Sequence, residues 1–383
     1  MYMGSTLVTP LYVLYEDAFG FSELTLTLIF AAYSLGNIAS LFVLGRLSDQ
    51  IGRRRTALPA IAVAMLSTLV FLFAASTAWL FAGRLLSGLA IGMASGAATA
   101  WVVDLTRNHK EQRGAAITTG AIFSGLAIAS VLAGVLAEYA PAPLKLSFIV
   151  YLALLAILAF FVARTKDTVQ DRAESLSEVS LAPRVGVPRE IRGRFLSPAA
   201  AAFAVFAVTG FYAALAPGLL RRDMDVTNLA VTGAIVGELF LAAAITVVLT
   251  SAVKARTAML AGAATLIVAV GLLVTAQALQ SLSILVVGTT VAGIATALGY
   301  RGSLQVINEL APKDQRAEVI STFAAVCFVG NALPVIGVGV VSSIWSPGVA
   351  TASLAVVTAG LSVVALVTEM GRGRKVGRRG AGR

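Results

Sequence analysis

The chain has 383 residues, of which 58% are apolar and only 13% charged, and its mean hydropathy is +0.89. That charged fraction is about half the share of a soluble domain, too little polar surface to wrap the chain, so lipid is its expected solvent. The net charge of +10 does not point to nucleic acid, because the basic residues fall between apolar runs and at the C-terminal end instead of forming one patch. A single histidine, His109, and a single cysteine, Cys327, exclude a His-pair metal site, an internal disulfide and most nucleophile–base pairs. An enzyme is therefore not expected.

A bilayer core takes roughly 20 apolar residues per helix. Twelve such runs can be read in order. The first six are Met1–Tyr15, Leu24–Leu44, Thr56–Ala75, Ala78–Val103, Ala115–Ala137 and Leu144–Ala163. The second six are Pro198–Leu220, Leu229–Ser251, Thr257–Ala276, Leu282–Ser303, Ala317–Ser343 and Gly348–Thr368. None shows the strict alternation of a barrel strand, so the chain is expected to be all-α and polytopic. The first run stops at Glu16, leaving roughly 22 Å of helix against about 30 Å of hydrocarbon, so the true start of that helix is expected upstream of Met1.

A polar, charged stretch with Pro183 and Pro188 separates the sixth run from the seventh. The plan is thus a six-helix bundle over 1–164, a linker over 165–197, a second six-helix bundle over 198–368 and a basic tail over 369–383. Six spans, a linker and six more is the pattern of two parallel repeats. Most of the 29 lysines and arginines fall in the loops after even-numbered spans, in the linker and in the tail. Placing that side inward puts both termini in the cytoplasm and the chain in the plasma (inner) membrane.

Within the spans, several polar side chains stand out. Arg84 lies in span 4, followed at four-residue steps by Gly88, Gly92 and Gly96, which would let another helix come close. Intramembrane charge is costly, so Arg84 is expected to face a cavity or a partner. Glu238 lies near the middle of span 8, where a carboxyl suits a proton carrier or a ligand for a cationic compound. Tyr12, Tyr33, Asn37, Tyr212 and Asn331 are further candidates for a central cavity; Arg301, near the inner end of span 10, is expected to reach to the inner face, with pairing to Glu309 or a place in the cavity as alternatives.

The loop between spans 2 and 3 reads Gly45-Arg-Leu-Ser-Asp49-Gln-Ile-Gly52-Arg53-Arg54-Arg55. It resembles the loop 2–3 signature of the major facilitator superfamily, G-x-L-[AS]-D-x-x-G-R-[RK]. With twelve spans and a central linker, the resemblance covers the whole chain. It implies the major facilitator fold and a secondary transporter working by alternating access. It also implies that Gly45, Asp49, Gly52, Arg53 and Arg54 form a cytoplasmic latch, with Asp49 set against the N-terminus of span 11. The segment Leu80–Gly88 is similar to the span-4 motif whose arginine is implicated in proton coupling, with Ser87 where Gln is common. Gly125-Leu-Ala-Ile-Ala129-Ser130-Val-Leu-Ala133-Gly134 looks like an eroded antiporter motif that has lost its proline. Gly330 and Pro334 restore a Gly/Pro bend in span 11.

The resemblance is to the twelve-helix drug:proton antiporter group. It implies proton-coupled efflux of small, partly hydrophobic compounds by a monomer that draws on the proton gradient and needs no cofactor. The alternative is proton-coupled uptake of a sugar, organic acid or other small nutrient. No Walker loop is present, so ATP is not the direct energy source.

Overall fold

The computed structural model describes residues 1–44, 50–105, 111–167 and 185–380, with side chains at all of these except 98–100, 102–105, 111–117 and 371–380. No strand occurs among the described residues. Among the described residues, eleven helices are long and apolar enough to cross a membrane. They are α3 (Glu23–Leu44), α4 (Arg53–Leu72), α5 (Thr77–Leu105), α6 (Glu111–Tyr139), α7 (Leu146–Arg164), α8 (Arg192–Ala214), α10 (Leu229–Leu249), α11 (Ala255–Ala278), α12 (Leu282–Leu310), α13 (Arg316–Ile344) and α14 (Pro347–Gly380).

The first run does not form the single helix expected for Met1–Tyr15. It is split into α1 (Met3–Thr6), a 3₁₀ turn (Thr9–Leu11) and α2 (Tyr12–Phe19), which ends on Gly20 in the left-handed region. Pro10 is the cause. It has no N–H to give the Thr6 carbonyl, and its ring crowds that carbonyl. The seventh run breaks in the same way, α8 ending at Ala214 and α9 (Ala216–Asp223) starting beside Pro217. The two breaks meet, because the buried Thr9 hydroxyl donates to the Ala213 carbonyl at 2.9 Å.

Helix contacts fall into two groups. In one, α3 and α4 pack on α5, and α4 packs on α7; in the other, α11 packs on α12, α10 on α12, and α8 on α13 and α14. The groups meet along two seams, α6 against α10 and α3 against α13. Outward faces are apolar, with Phe161 62% and Val356 72% exposed, which suits lipid. Many buried hydroxyls are satisfied within their own helix, as Thr68 on Ala64 and Ser362 on Thr358.

The far end of the molecule, opposite the linker, is tied shut. The carboxylates of Asp17 and Glu23 pair with Arg221 (2.8 Å) and Arg222 (2.5 Å) on α9. Glu138 at the end of α6 accepts the Leu229 N–H that opens α10, at 2.8 Å. Just below, α6 and α10 cross at Gly134 and Gly233, where a side-chain carbon on either glycine would stand 3.0 Å from the other's Cα. Thr27 of α3 sits against Gly339 of α13 on the other seam.

Candidate functional site

Between the two groups, near mid-depth, lies a cavity of ≈ 140 Å³. Six helices each contribute an aromatic ring to its wall: Tyr33 (α3), Phe328 (α13), Phe206 (α8), Tyr300 (α12), Phe123 (α6) and Phe240 (α10). These rings form an unbroken chain. Centroids are 6.4 Å apart for Tyr33–Phe328 and Phe328–Phe206, 5.4 Å for Phe206–Tyr300, 6.5 Å for Tyr300–Phe123 and 6.4 Å for Phe123–Phe240. Most meet edge to face, a geometry that aromatic quadrupoles prefer. Tyr2, Phe30, Ser5, Thr209, Thr296 and Asn331 complete much of the lining. None of the described residues that line it is charged. The Asn331 amide donates to the Ser34 hydroxyl at 3.2 Å, joining the two groups at the cavity edge.

Arg84 lies directly behind this wall. It is fully buried, its Nε donating to the Tyr12 hydroxyl at 2.6 Å and its Nη1 to the Ser5 carbonyl at 2.7 Å. The guanidinium stands 5.2, 5.7 and 5.9 Å from the ring centres of Tyr12, Phe30 and Tyr33. Such cation–π contacts offset part of the lost hydration. Its Nη2 has no partner, and no carboxylate among the described residues lies within ion-pair distance. The helix break at Pro10 brings the Ser5 carbonyl and the Tyr12 hydroxyl within reach of one guanidinium.

The other expectations sort by position. Of the six cavity candidates, Tyr33 and Asn331 line the cavity; Tyr12, Asn37, Tyr212 and Arg301 do not. Tyr12 serves Arg84. Tyr212 is held by Thr289 at 3.1 Å inside the second group. Arg301 donates to the Ser251 and Val253 carbonyls at 3.1 and 3.2 Å, in the turn after α10, where a cation meets free carbonyls. Glu238 does not line the cavity either. Its carboxylate accepts from the Thr290 hydroxyl at 2.5 Å, between α10 and α12.

Gly88 and Gly92 do meet α3, at the Tyr33 carbonyl and at Ser40, but Gly96 is exposed. Gly125 is not a close-packing position, since a side chain there would touch Met3 only at 3.7 Å; Gly134 and Gly330 are, against Leu229 and Phe203 backbone. Pro334 stands within the continuous α13.

Gly45 and Asp49 lie outside the described residues. At the other end of that loop, Gly52 has φ +110°, which a side chain would strain. It opens α4, whose first N–H groups, Arg53 and Arg54, donate to Asp167 at 3.0 and 3.2 Å. A carboxylate at a helix N-terminus is favoured by the unpaired donors and the dipole. Asp167 was not singled out in the sequence; its only signal is being the first acid after span 6.

Paired groups of long apolar helices around a central cavity, uncharged in its described lining, define a polytopic membrane protein. Residues 1–253 match the Major Facilitator Superfamily, so the chain belongs to that family. It is 27% identical over 146 residues to the bacillibactin exporter of Bacillus subtilis (strain 168), a match covering 36% of this chain and 36% of that protein. The crystal structure of a mutant of the nucleoside transporter NupG superposes with a TM-score of 0.74 at 14% identity, covering 97% of this chain and 96% of the other. The protein is thus an integral, multi-pass membrane protein of that family.

Proposed function

We propose that this protein is a secondary active transporter that exports small, partly hydrophobic organic compounds in exchange for protons. The observation that carries the reading is the chain of six aromatic side chains, drawn from six helices of both groups, along a cavity with no charged lining among the described residues. A pocket walled by flat apolar faces binds planar solutes without demanding one hydrogen-bond pattern. Because the groups are tied at the far end, tilting one against the other would exchange the closed side while leaving the site at mid-depth. Export is supported by the partial likeness to a bacillibactin exporter. In this reading the linker, the basic tail and both termini face the cytoplasm, the chain works as a monomer, residues 1–164 and 198–368 are the two moving bundles, and the Gly45–Arg54 loop is the cytoplasmic latch.

Glu238 is the one acid near the centre of a described span, and it takes the proton-carrying role from its place beside Thr290, between α10 and α12. Solute flux in proteoliposomes, driven by a pH step, tests this. Wild-type protein moves solute when the step is imposed. Glu238→Gln keeps solute exchange at equal pH and loses at least about tenfold of the pH-driven flux. Full pH-driven flux in that variant would remove Glu238 from coupling.

A further inference from the structure

The lining alone does not say which charge of solute the cavity prefers. Aromatic faces carry negative quadrupole and would by themselves favour a cation. Here two of the lining rings, Phe30 and Tyr33, already have the Arg84 guanidinium within 6 Å of their centres, although Arg84 itself does not line the cavity. Arg84 brings a full positive charge that no described carboxylate neutralises, and one of its nitrogens is buried without a partner. Its bonded partners are a phenol and a carbonyl, both neutral. The mid-depth acid, Glu238, is turned to Thr290 on α12 and away from the lining. The cavity therefore lies one side-chain layer from an uncompensated cation, in a medium where such a field is weakly screened.

We propose that the cavity selects aromatic anions: a planar ring held within the aromatic girdle and an acidic group directed toward the Ser5–Tyr33 side, where Arg84 supplies the charge. The proposal rests on the transport reading and deepens it by naming the solute class. Ser5 and Tyr33 both line the cavity and both touch the guanidinium, and the Tyr33 hydroxyl would give the acid a hydrogen bond. A charge at this separation shifts affinity on the order of tenfold.

Three probes of one shape separate the possibilities: 2-naphthoate, 2-naphthalenemethanol and 2-naphthylmethylammonium. Their binding to the purified protein is measured by titration calorimetry at pH 7.5, and exchange of labelled 2-naphthoate is followed in proteoliposomes. The wild type is expected to bind 2-naphthoate at least about tenfold tighter than either of the others and to exchange it. Arg84→Gln should erase that preference and Arg84→Lys should keep it. Equal or tighter binding of the alcohol or the amine by the wild type, a result that needs no variant, overturns the anion preference and leaves the transport reading intact. The same preference surviving in Arg84→Gln would overturn the role of Arg84. Tight 2-naphthoate binding without exchange would instead count against transport while supporting the preference.

Discussion

Arg84 and the glycines show how single residues set this architecture. An arginine buried among rings is tolerated because a helix break delivers a carbonyl and a phenol to it, and both depend on Pro10. The need for a partner could be read from the sequence, since a charge within an apolar run must find one. Which partner could not, because Ser5 acts through its backbone and Tyr12 is one tyrosine among eight. The glycines were only partly legible for a similar reason. Spacing identifies small residues on one helix face but not whether a neighbour is there. Gly134 and Gly125 make the contrast testable. A methyl at Gly134 would run into the Leu229 carbonyl and the Gly233 Cα, both backbone, while one at Gly125 meets only the end of Met3 at 3.7 Å. Gly134→Ala should destabilise the protein by about 1–3 kcal/mol and Gly125→Ala by much less, read as thermal unfolding in detergent. Equal loss in both would mean that the α6–α10 crossing is not tight.

The long helices were plain in the sequence because length and apolar content alone specify a span. The breaks in the first run and at the end of the seventh were not legible, since Pro10 and Pro217 interrupt them without changing their apolar character. These broken elements carry the far-side ties. Glu16 on α2 is half-buried there, faced by Arg222 and Arg221 on α9, by Glu23 on α3 and by its neighbour Asp17. Burial outweighs the arginines and raises its pKa above the ordinary 4.5. A raised carboxyl pKa means that the folded arrangement binds the proton more tightly, so its contribution is present at low pH and lost as pH rises through the shifted value. Glu16→Gln, a mimic of the protonated form, should therefore unfold at higher temperature than the wild type at pH 7–8, with the gap closing near pH 4. A gap that widened on acidification would contradict the assignment. The pairs Asp17–Arg221 and Glu23–Arg222 are partly exposed and worth little singly. That suits a closure that must open.

At the scale of the whole molecule, the cavity was the least legible feature. Phe and Tyr read the same in a sequence whether they face lipid or line a pocket, so only Tyr33 and Asn331 were anticipated of a wall that also includes Phe123, Phe206, Phe240, Tyr300 and Phe328. What distinguishes them is convergence from six helices far apart in the chain, which only the packing of the two groups reveals. The central claim is that solute passes through this girdle. The most direct measurement fills it: Thr209→Trp, at the cavity wall, tested for solute counterflow in proteoliposomes beside the wild type. The account predicts counterflow by the wild type and at least about a tenfold loss in the variant, with its thermal unfolding close to normal. Counterflow undiminished by the indole would place the solute path elsewhere and contradict the account.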